Sequence, residues 1–306
     1  MKQPIAGFLF GLTAAFMWSS LPIFVQQVVQ VMDIQTSVWY RFALAAVGLF
    51  ILLCLSGKPF KFTRLGGKDT LLILLGIGGL SVNFFLYNLA LKYIPPTTSQ
   101  VLSPLSSFIM LIVGVFLFKE KMGMHQRIGL GFLVLGLLLF FNERVDDFLQ
   151  LNLYSKGVIF IVLSSFIWVV YAIAQKLLLA RLNSQQILLM IYIGCALVFL
   201  PFADVPQIVE LNTFQRICLI LSGVNTIIAY GCYAEALNRW DIAKVSAILT
   251  QIPVFTLIFS HLAVAISPQR FAAVELNWIS YCGALCVVLG ALLSALGHKL
   301  KLVRLL

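Results

Sequence analysis

Charged residues are scarce in this chain of 306 residues, because Asp, Glu, Lys and Arg together make up 10% of it. Soluble globular domains contain roughly 25%, so the composition excludes a soluble enzyme and a disordered chain. The 3 His are isolated from one another and no H-E-x-x-H motif is present, which argues against a zinc hydrolase. A G-x-x-x-x-G-K-[S/T] loop is also missing, so ATP does not act through that motif.

Cysteine is sparse as well, with 6 residues that all lie within apolar segments. This placement argues against a secreted disulfide scaffold. Cys282 and Cys286 share one helix face, but no His or acidic residue accompanies them. We interpret them as core thiols rather than metal ligands, and we expect neither a metal nor a cofactor.

Apolar residues dominate instead, at 61% of the chain with a mean hydropathy of +1.02. Since a spanning helix needs roughly 20 apolar residues, the sequence predicts an all-α polytopic membrane protein with ten transmembrane helices. We read the first segment as an uncleaved helix, because its apolar run is too long for the hydrophobic region of a signal peptide and no small-residue cleavage site is clear. The second is extended by Ser37–Arg41, and the short fifth is completed by Met122–Arg127. The ten uncharged segments are Gln3–Met32, Phe42–Gly57, Thr70–Leu91, Tyr93–Phe118, Ile128–Asn142, Gly157–Gln175, Leu182–Ala203, Ile217–Ala234, Val245–Gln269 and Leu276–Gly297.

The distribution of basic residues predicts the orientation of these helices, since cytoplasmic loops are enriched in Lys and Arg. With a cytoplasmic N-terminus, most of the 21 basic residues lie inside. They are Lys2, Lys58, Lys61, Arg64, Lys68, Lys119, Lys121, Arg127, Lys176, Arg181, Arg239, Lys244, Lys299, Lys301 and Arg304. We therefore interpret the net charge of +10 as a topology signal, and we expect no nucleic-acid partner. Both termini are predicted to be cytoplasmic, in a protein of the bacterial inner membrane.

The chain also contains an internal repeat, visible as three matches in the same order. The matched pairs are Gly7–Trp18 with Gly157–Trp168, Tyr87–Leu91 with Tyr233–Leu237, and Gly129–Gly136 with Gly283–Gly290. We predict one five-helix repeat over residues 1–142, an external linker over 143–156, and a second repeat over 157–306 with a short cytoplasmic tail. Because five is odd, the two repeats insert in opposite orientations. Inverted repeats are typical of transporters that hold substrate near the midplane between the halves.

Several of these residues resemble a known family. They are Trp18, Arg41-Phe42, Ala90–Tyr93, Glu120, Gly129, Gly136, Ala236-Leu237 and Pro253–Phe255. In this respect the chain is similar to the EamA-type family of the drug/metabolite transporter superfamily over nearly its whole length. It departs from an exact repeat at Ser107, which occupies the position matching Pro253, and no Glu follows the ninth helix where Glu120 follows the fourth. The resemblance implies a carrier of small molecules, often an exporter of amino acids or related metabolites.

Polar and aromatic residues deep within the apolar segments are the candidates for binding a substrate, because such residues avoid lipid. Aromatic faces with amide and hydroxyl groups suit a neutral, zwitterionic or partly aromatic molecule. The alternative is that the hydroxyl and amide groups only join helices. We place Trp39, Tyr40 and Trp278 at the membrane interface instead. The candidates are Trp18, Ser19, Asn83, Tyr87, Ser103, Trp168, Tyr171, Gln175, Tyr230, Tyr233 and Gln251.

Two charged residues within or next to the spans are candidates for charge coupling. Arg41 lies about one turn inside the outer end of the second helix, where it either holds an anionic group or extends to the lipid headgroups; the latter is slightly favoured. Glu235 follows the apolar part of the eighth helix, and an ion pair with Arg239 at i+4 is favoured over a role in proton coupling.

Prolines within the spans predict interruptions of three helices. Pro22, Pro104 and Pro253 each remove a helical hydrogen bond and free a backbone carbonyl. The result is either a hinge or carbonyl at a binding site, or a tolerated kink.

These patterns favour a secondary transporter that moves a small polar or zwitterionic metabolite, an amino acid or related compound, by alternating access, with export as the expected direction. The alternatives are an integral-membrane enzyme and a channel or receptor. The expected partners are a small-molecule substrate and the lipid bilayer, and the sequence leaves a homodimer open.

Overall fold

The computed structural model of the protein describes residues 4–56, 66–118, 122–240, 242–272, 274 and 276–296. Within these ranges the chain is helical or in turns, and no strand is present. Short 3₁₀-helices at Leu200–Phe202 and Val205–Val209 join two of the α-helices. The α-helices are α1 (Pro4–Val29), α2 (Ile34–Leu55), α3 (Gly67–Ala90), α4 (Pro96–Val101), α5 (Leu105–Phe118), α6 (Met124–Phe140), α7 (Val145–Leu149), α8 (Leu153–Leu178), α9 (Ser184–Phe199), α10 (Thr213–Arg239), α11 (Ile242–Leu249), α12 (Ile252–Ile266) and α13 (Trp278–Leu296).

The predicted ten spans are confirmed. Within the described ranges, 9 helical segments are long and apolar enough to cross a membrane, and the shorter apolar helix α6 makes the tenth. The fourth span consists of α4 and α5, and the ninth of α11 and α12. The second span begins earlier than its uncharged run, at Ile34, because the side chain of Asp33 accepts a hydrogen bond from the backbone N–H of Thr36 and so caps the helix.

Some residues used in the sequence interpretation lie outside the described ranges. They are Lys2, Lys58, Lys61, Arg64, Lys119, Glu120, Lys121, Glu275, Lys299, Lys301 and Arg304. The side chain of Lys244 is also outside the described part of the structure.

The helix pairs repeat with two-fold symmetry between the halves. The most extensive contacts are α6 with α13, α3 with α8, α1 with α10 and α2 with α9. Each joins the two halves: spans 5 and 10, 3 and 6, 1 and 8, and 2 and 7. If the two halves are exchanged, the α3–α8 pair becomes the α10–α1 pair. The α6–α13 and α2–α9 pairs are unchanged by the exchange. The fold is therefore two inverted five-helix repeats that interlock.

Glycine contacts show the same symmetry at the level of residues. A Cβ atom on Gly76 of α3 would lie 3.0 Å from the Ile191 side chain of α9. A Cβ on Gly223 of α10 would lie 2.8 Å from the Leu44 side chain of α2. Gly223 and Ile191 each follow their counterparts, Gly76 and Leu44, by 147 positions in the sequence. Equivalent helices thus pack through equivalent residues.

Helices α6 and α13 approach each other most closely through four glycines. A Cβ on Gly136 would lie 2.7 Å from the Gly283 carbonyl oxygen, and one on Gly129 would lie 2.6 Å from the Gly290 carbonyl oxygen. Such distances are too short for a methyl group, so glycine is required for this backbone contact. The fifth and tenth spans are therefore joined by direct backbone contact.

Both the fourth and the ninth spans are broken near their middle. Pro104 lies in the turn between α4 and α5, and Pro253 lies in the first turn of α12, just after the break from α11. Proline lacks the N–H that a continuous helix needs, which accounts for both breaks. The expectation of an interruption at Pro22 is wrong, because α1 continues through this residue. Discontinuous helices at corresponding positions of two halves are the usual location of a binding site in such folds.

Candidate functional site

A cavity of about 160 Å³ lies between the two repeats. Both broken spans reach it, and so do α1, α2, α3, α8 and α10, whereas α6 and α13 do not. Its lining residues are Trp18, Leu21, Arg41, Asn83, Phe84, Tyr87, Ser99, Gln100, Ser103, Pro104, Ser106, Ser107, Ile161, Ser164, Ser165, Trp168, Tyr230, Leu249, Thr250 and Ile252.

Pro22 creates a polar feature of this cavity without breaking its helix. In a regular helix the N–H of residue 22 would bond to the carbonyl of Trp18, but proline has no N–H. The side-chain nitrogen of Gln100 donates to this carbonyl at 3.1 Å. The same nitrogen donates to the Tyr87 hydroxyl, also at 3.1 Å. The freed carbonyl thereby fixes α4 against α1 and orients two residues of the lining.

Aromatic rings form one wall of the cavity. The ring of Trp18 meets that of Tyr230 edge to face, with centroids 5.2 Å apart. Tyr233 lies behind this wall, 5.3 Å from the Trp18 ring and 6.3 Å from the Trp168 ring. Trp18 and Trp168 are matched positions in the two repeats, so each repeat contributes one tryptophan to the same cluster. The wall offers dispersion contact and cation–π contact to a bound molecule.

Amide and hydroxyl groups line the wall formed by α3 and α8. Asn83 donates through its side-chain nitrogen to the Ser164 hydroxyl at 2.8 Å and to the Ser164 carbonyl at 3.0 Å. These bonds join α3 of the first repeat to α8 of the second. They use both hydrogens of the side-chain amide, so the side-chain oxygen of Asn83 is left as an acceptor.

Arg41 is fully buried and lines the cavity. It lies on the buried stripe of α2 with Val38 and Ala45, and its side chain is 1% exposed. The interpretation that it extends to the lipid headgroups is therefore wrong: the residue lies about two turns inside α2, on the face that packs against α3 and α10.

Neutral groups surround the Arg41 guanidinium. It donates to the Asn88 carbonyl oxygen at 3.5 Å and to the Thr226 hydroxyl at 3.3 Å, both near the limit for a hydrogen bond. Its Nε atom has no partner among the described residues. The Phe84 ring lies below it, with the central carbon 4.5 Å from the ring centroid. No described carboxylate forms a salt bridge with it.

The cavity brings together seven of the candidate residues and leaves six away from its lining. Those that line it are Trp18, Arg41, Asn83, Tyr87, Ser103, Trp168 and Tyr230. Those that do not are Ser19, Tyr171, Gln175, Tyr233, Glu235 and Gln251.

Of four remaining residues, Ser19 and Gln251 are bonded locally, whereas the Tyr171 hydroxyl and the Gln175 side-chain nitrogen have no partner among the described residues. Ser19 is buried and its hydroxyl donates to the Ala15 carbonyl within α1. Tyr171 is buried behind Tyr230, with ring centroids 6.0 Å apart. Gln175 is buried one turn further along α8. Gln251 lies in the break before α12, where its side chain donates to Thr250 at 3.3 Å.

Glu235 belongs to a separate polar group near the end of α10. The helix continues to Arg239, so both residues lie within it, and Arg239 forms a salt bridge with Glu235 at 2.9 Å. The Ser184 hydroxyl at the start of α9 donates to the other carboxylate oxygen at 3.1 Å. This group joins α9 to α10 and lies outside the cavity lining.

For some lining residues, nothing in the sequence indicates that they face the cavity. For others the sequence contains an indication, although they were not among the candidates. Phe84 and Leu21 are ordinary apolar residues of apolar helices, and nothing distinguishes them from core residues. Gln100 is an amide inside an uncharged segment, which is the same signal that identified Asn83. Its burial at 5% exposure is what this signal predicts.

A second cavity of about 260 Å³ lies beyond α4. Thr97 and Thr98 of α4 face it, whereas Ser99 and Gln100 of the same short helix face the central cavity. Gln26 of α1 also lines the second cavity and donates to the carbonyls that precede α4, at 3.4 Å. The single turn and a half of α4 therefore separates the two spaces.

Comparison with known proteins assigns this architecture to a family. The model of the EamA-like transporter family matches residues 5–142 and again residues 155–296. The chain belongs to the EamA-like transporter family. An uncharacterized transporter of Haemophilus influenzae is 53% identical over 299 residues, which cover 98% of this chain and 97% of that protein. The uncharacterized inner membrane transporter YhbE of Escherichia coli is 44% identical over 304 residues, which cover 98% of this chain and 94% of YhbE.

A solved crystal structure supports the fold of this EamA-like protein. It aligns with a TM-score of 0.69 over 98% of this chain and 100% of the other, at 18% sequence identity. At that identity the likeness concerns the fold alone. The family and the names of the relatives indicate an integral membrane transporter rather than an enzyme. No group of His, Cys, Asp or Glu suited to a metal occurs among the described residues.

Proposed function

We propose that this protein is a secondary transporter that moves a small polar or zwitterionic metabolite, an amino acid or a related compound, across the bacterial inner membrane, with export as the direction. The observation that carries the proposal is the central cavity, because both repeats and both broken spans contribute to it. Its aromatic rings, amides and hydroxyls supply the contacts that such a molecule needs.

The proposed substrate contacts are the candidate residues that line the cavity. Trp18, Trp168 and Tyr230 provide the aromatic wall, and Tyr87 and Ser103 provide hydroxyl groups. We assign Tyr171, Tyr233, Gln175, Ser19 and Gln251 a supporting role, since they pack behind or beside this lining.

Transport by alternating access fits the arrangement of the two cavities. The central cavity and the second cavity lie on either side of α4, which ends at the Pro104 turn. A movement of α4 about this turn would join the central cavity to the second one. In the second repeat, α11 corresponds to α4. A movement of α11 about its own break would give the second state that alternating access needs.

The proposed orientation has both termini in the cytoplasm, and it rests on the excess of Lys and Arg in the loops assigned to the inside. The name of the YhbE relative supports an inner membrane location. A green fluorescent protein fused after Leu306 should fluoresce, whereas alkaline phosphatase fused there should stay inactive. Active phosphatase would contradict this orientation.

Counterflow in proteoliposomes tests the proposal. Vesicles loaded with one unlabelled compound are diluted into the same labelled compound, using a panel of amino acids and related metabolites. Saturable accumulation of any one of them, absent from protein-free vesicles, is the expected result. Failure of the whole panel, with protein shown to be folded and inserted, would contradict it.

A further inference from the structure

We propose that Arg41 binds the carboxylate of the substrate, and that the cavity selects a small monoanion with an apolar or aromatic remainder in preference to a zwitterion or a neutral molecule. This inference rests on the proposed transport function, but it replaces the zwitterionic substrate by a related compound that carries a carboxylate and no ammonium group. It is carried by one buried guanidinium, by the neutral groups around it and by the shape of the aromatic wall.

No acidic side chain among the described residues compensates the charge of Arg41. A guanidinium has five N–H donors, and two of them reach neutral oxygens of Asn88 and Thr226, at 3.5 and 3.3 Å. The Nε atom, buried like the rest of the side chain, has no partner among the described residues. An unpaired charge in a site of low dielectric constant is costly. An anion entering the cavity removes this cost, and a carboxylate matches the guanidinium with two parallel hydrogen bonds.

No acidic side chain among the described residues lines the cavity to compete for Arg41 or to hold an ammonium group. Three described carboxylates are engaged elsewhere: Asp69 with Arg181, Asp147 with Arg144, and Glu235 with Arg239. A zwitterionic substrate would therefore bury its ammonium against rings and hydroxyls without a counter-charge. A carboxylate that lacks the ammonium avoids this desolvation, so the monoanion binds more tightly.

The rest of the cavity lining sets the remainder of the substrate. The rings of Trp18, Trp168 and Tyr230 and the side chains of Leu21 and Ile252 line the cavity. A volume of about 160 Å³ is comparable to an engineered apolar cavity of about 150 Å³ that binds benzene. A group about as large as one aromatic ring or one branched alkyl chain fits this space.

Matched ligands test the inference on the wild-type protein. Binding to the purified protein in detergent is measured by calorimetry for 3-phenylpropanoate, its neutral amide and phenylalanine, and for 4-methylpentanoate, its amide and leucine. We expect at least one carboxylate to bind about tenfold or more tightly than its amide, the usual effect of a charged hydrogen bond, and more tightly than its amino acid. Equal binding of acid and amide, tighter binding of the amino acid, or no binding of any acid would overturn the inference.

Substitutions at Arg41 provide the second test. Arg41→Gln should abolish the preference for the acid over its amide, and Arg41→Lys should retain part of it because the positive charge remains. Arg216→Gln is the control, since Arg216 is exposed and bonds only to the Val209 carbonyl among the described groups. An unchanged preference in Arg41→Gln would overturn the inference. If this variant does not fold, the ligand comparison on the wild type decides alone.

The counterflow panel separates this inference from the proposed function. Saturable exchange of amino acids with no binding of either acid would overturn the monoanion assignment and leave the transporter proposal standing. If no compound of any class exchanges, the proposed function fails.

Discussion

At the scale of single residues, the cavity depends on groups whose usual partners have been removed. Pro22 frees the carbonyl of Trp18, and Gln100 takes the place of the missing N–H. Arg41 has no acidic partner among the described residues, although it is 1% exposed. Polar groups of this kind are costly in the interior of a membrane protein, and Trp18, Gln100 and Arg41 all line the central cavity.

The lining of the central cavity predicts that Trp168→Ala and Tyr87→Ala weaken transport. Both side chains line the cavity, and losing a ring removes packing and edge contacts with the substrate. We expect a reduction of about tenfold in the initial rate of exchange at limiting substrate, which corresponds to about 1.4 kcal/mol. Counterflow with the best substrate of the panel measures this effect.

The control for these variants is Trp278→Ala. Trp278 begins α13 and is 85% exposed, as expected of a residue in the interfacial belt. Its removal should leave exchange within about twofold of wild type. If Trp278→Ala impairs exchange more than Trp168→Ala does, the assignment of the cavity is wrong.

Glu235→Gln is expected to leave the pH profile of transport unchanged. The carboxylate is held by Arg239 and Ser184 and does not line the cavity, so we assign it to joining α9 and α10. The variant should lose about 0.5–1 kcal/mol of stability, typical of a partly exposed ion pair. A shifted or flattened pH profile would instead support proton coupling through Glu235.

At the scale of helices, glycine spacing sets how closely α6 and α13 approach. Gly283→Ala should destabilise the protein, because the new Cβ would clash with the Phe140 backbone nitrogen and lie 2.6 Å from the Gly136 oxygen. These are backbone atoms that cannot rotate away, so we expect a loss of about 1–3 kcal/mol. The measurement is the midpoint of thermal aggregation in detergent.

Gly131→Ala is the matched control on the same helix pair. Nothing lies within 4 Å of a Cβ at Gly131, and replacing a helical glycine by alanine gains up to about 1 kcal/mol. The midpoint should therefore stay the same or rise. A similar decrease for both variants would show that the close contact at Gly283 does not stabilise the pair.

The positions of the membrane-spanning helices can be predicted from the sequence, whereas only some of the breaks within them can. Hydropathy alone predicts all ten spans, because each must cover the hydrocarbon layer. Proline predicts the breaks near Pro104 and Pro253, yet the same signal at Pro22 leaves α1 continuous, since Gln100 satisfies the freed carbonyl. The partner of this carbonyl lies 82 positions away in the chain, so the local sequence does not reveal it.

At the scale of the whole molecule, the two repeats are alike in packing and different in chemistry. Trp18 and Trp168 occupy matched positions, as do Tyr87 and Tyr233. The contacts of Gly76 and Gly223 relate the halves by 147 positions. By this relation Leu188 is the residue of the second repeat that corresponds to Arg41. The cavity therefore carries a positive charge on one side only, although the scaffold around it is symmetric.

The sequence predicts part of the candidate site for the same reason. The repeat and the polar residues identify which helices face the centre, so seven candidates line the cavity. Helical periodicity places Trp168, Tyr171 and Gln175 on one face of α8, but that face is wider than the cavity. Tyr171 packs against Tyr230 of α10, and Gln175 is buried outside the cavity lining. Only the relative positions of the helices reveal this.

The most direct test of the central claim is the accessibility of the cavity from both sides of the membrane. In a variant that lacks the 6 native cysteines, Ser103→Cys places a thiol in the cavity lining. Trp278→Cys places one at the start of α13, which lies outside in the proposed orientation. A membrane-impermeant maleimide is applied to spheroplasts and to inside-out vesicles, with and without a transported compound. We predict that Ser103→Cys reacts from both sides and is protected by the compound, while Trp278→Cys reacts only in spheroplasts. Reaction of Ser103→Cys from one side in every condition, or from neither side, would contradict the account.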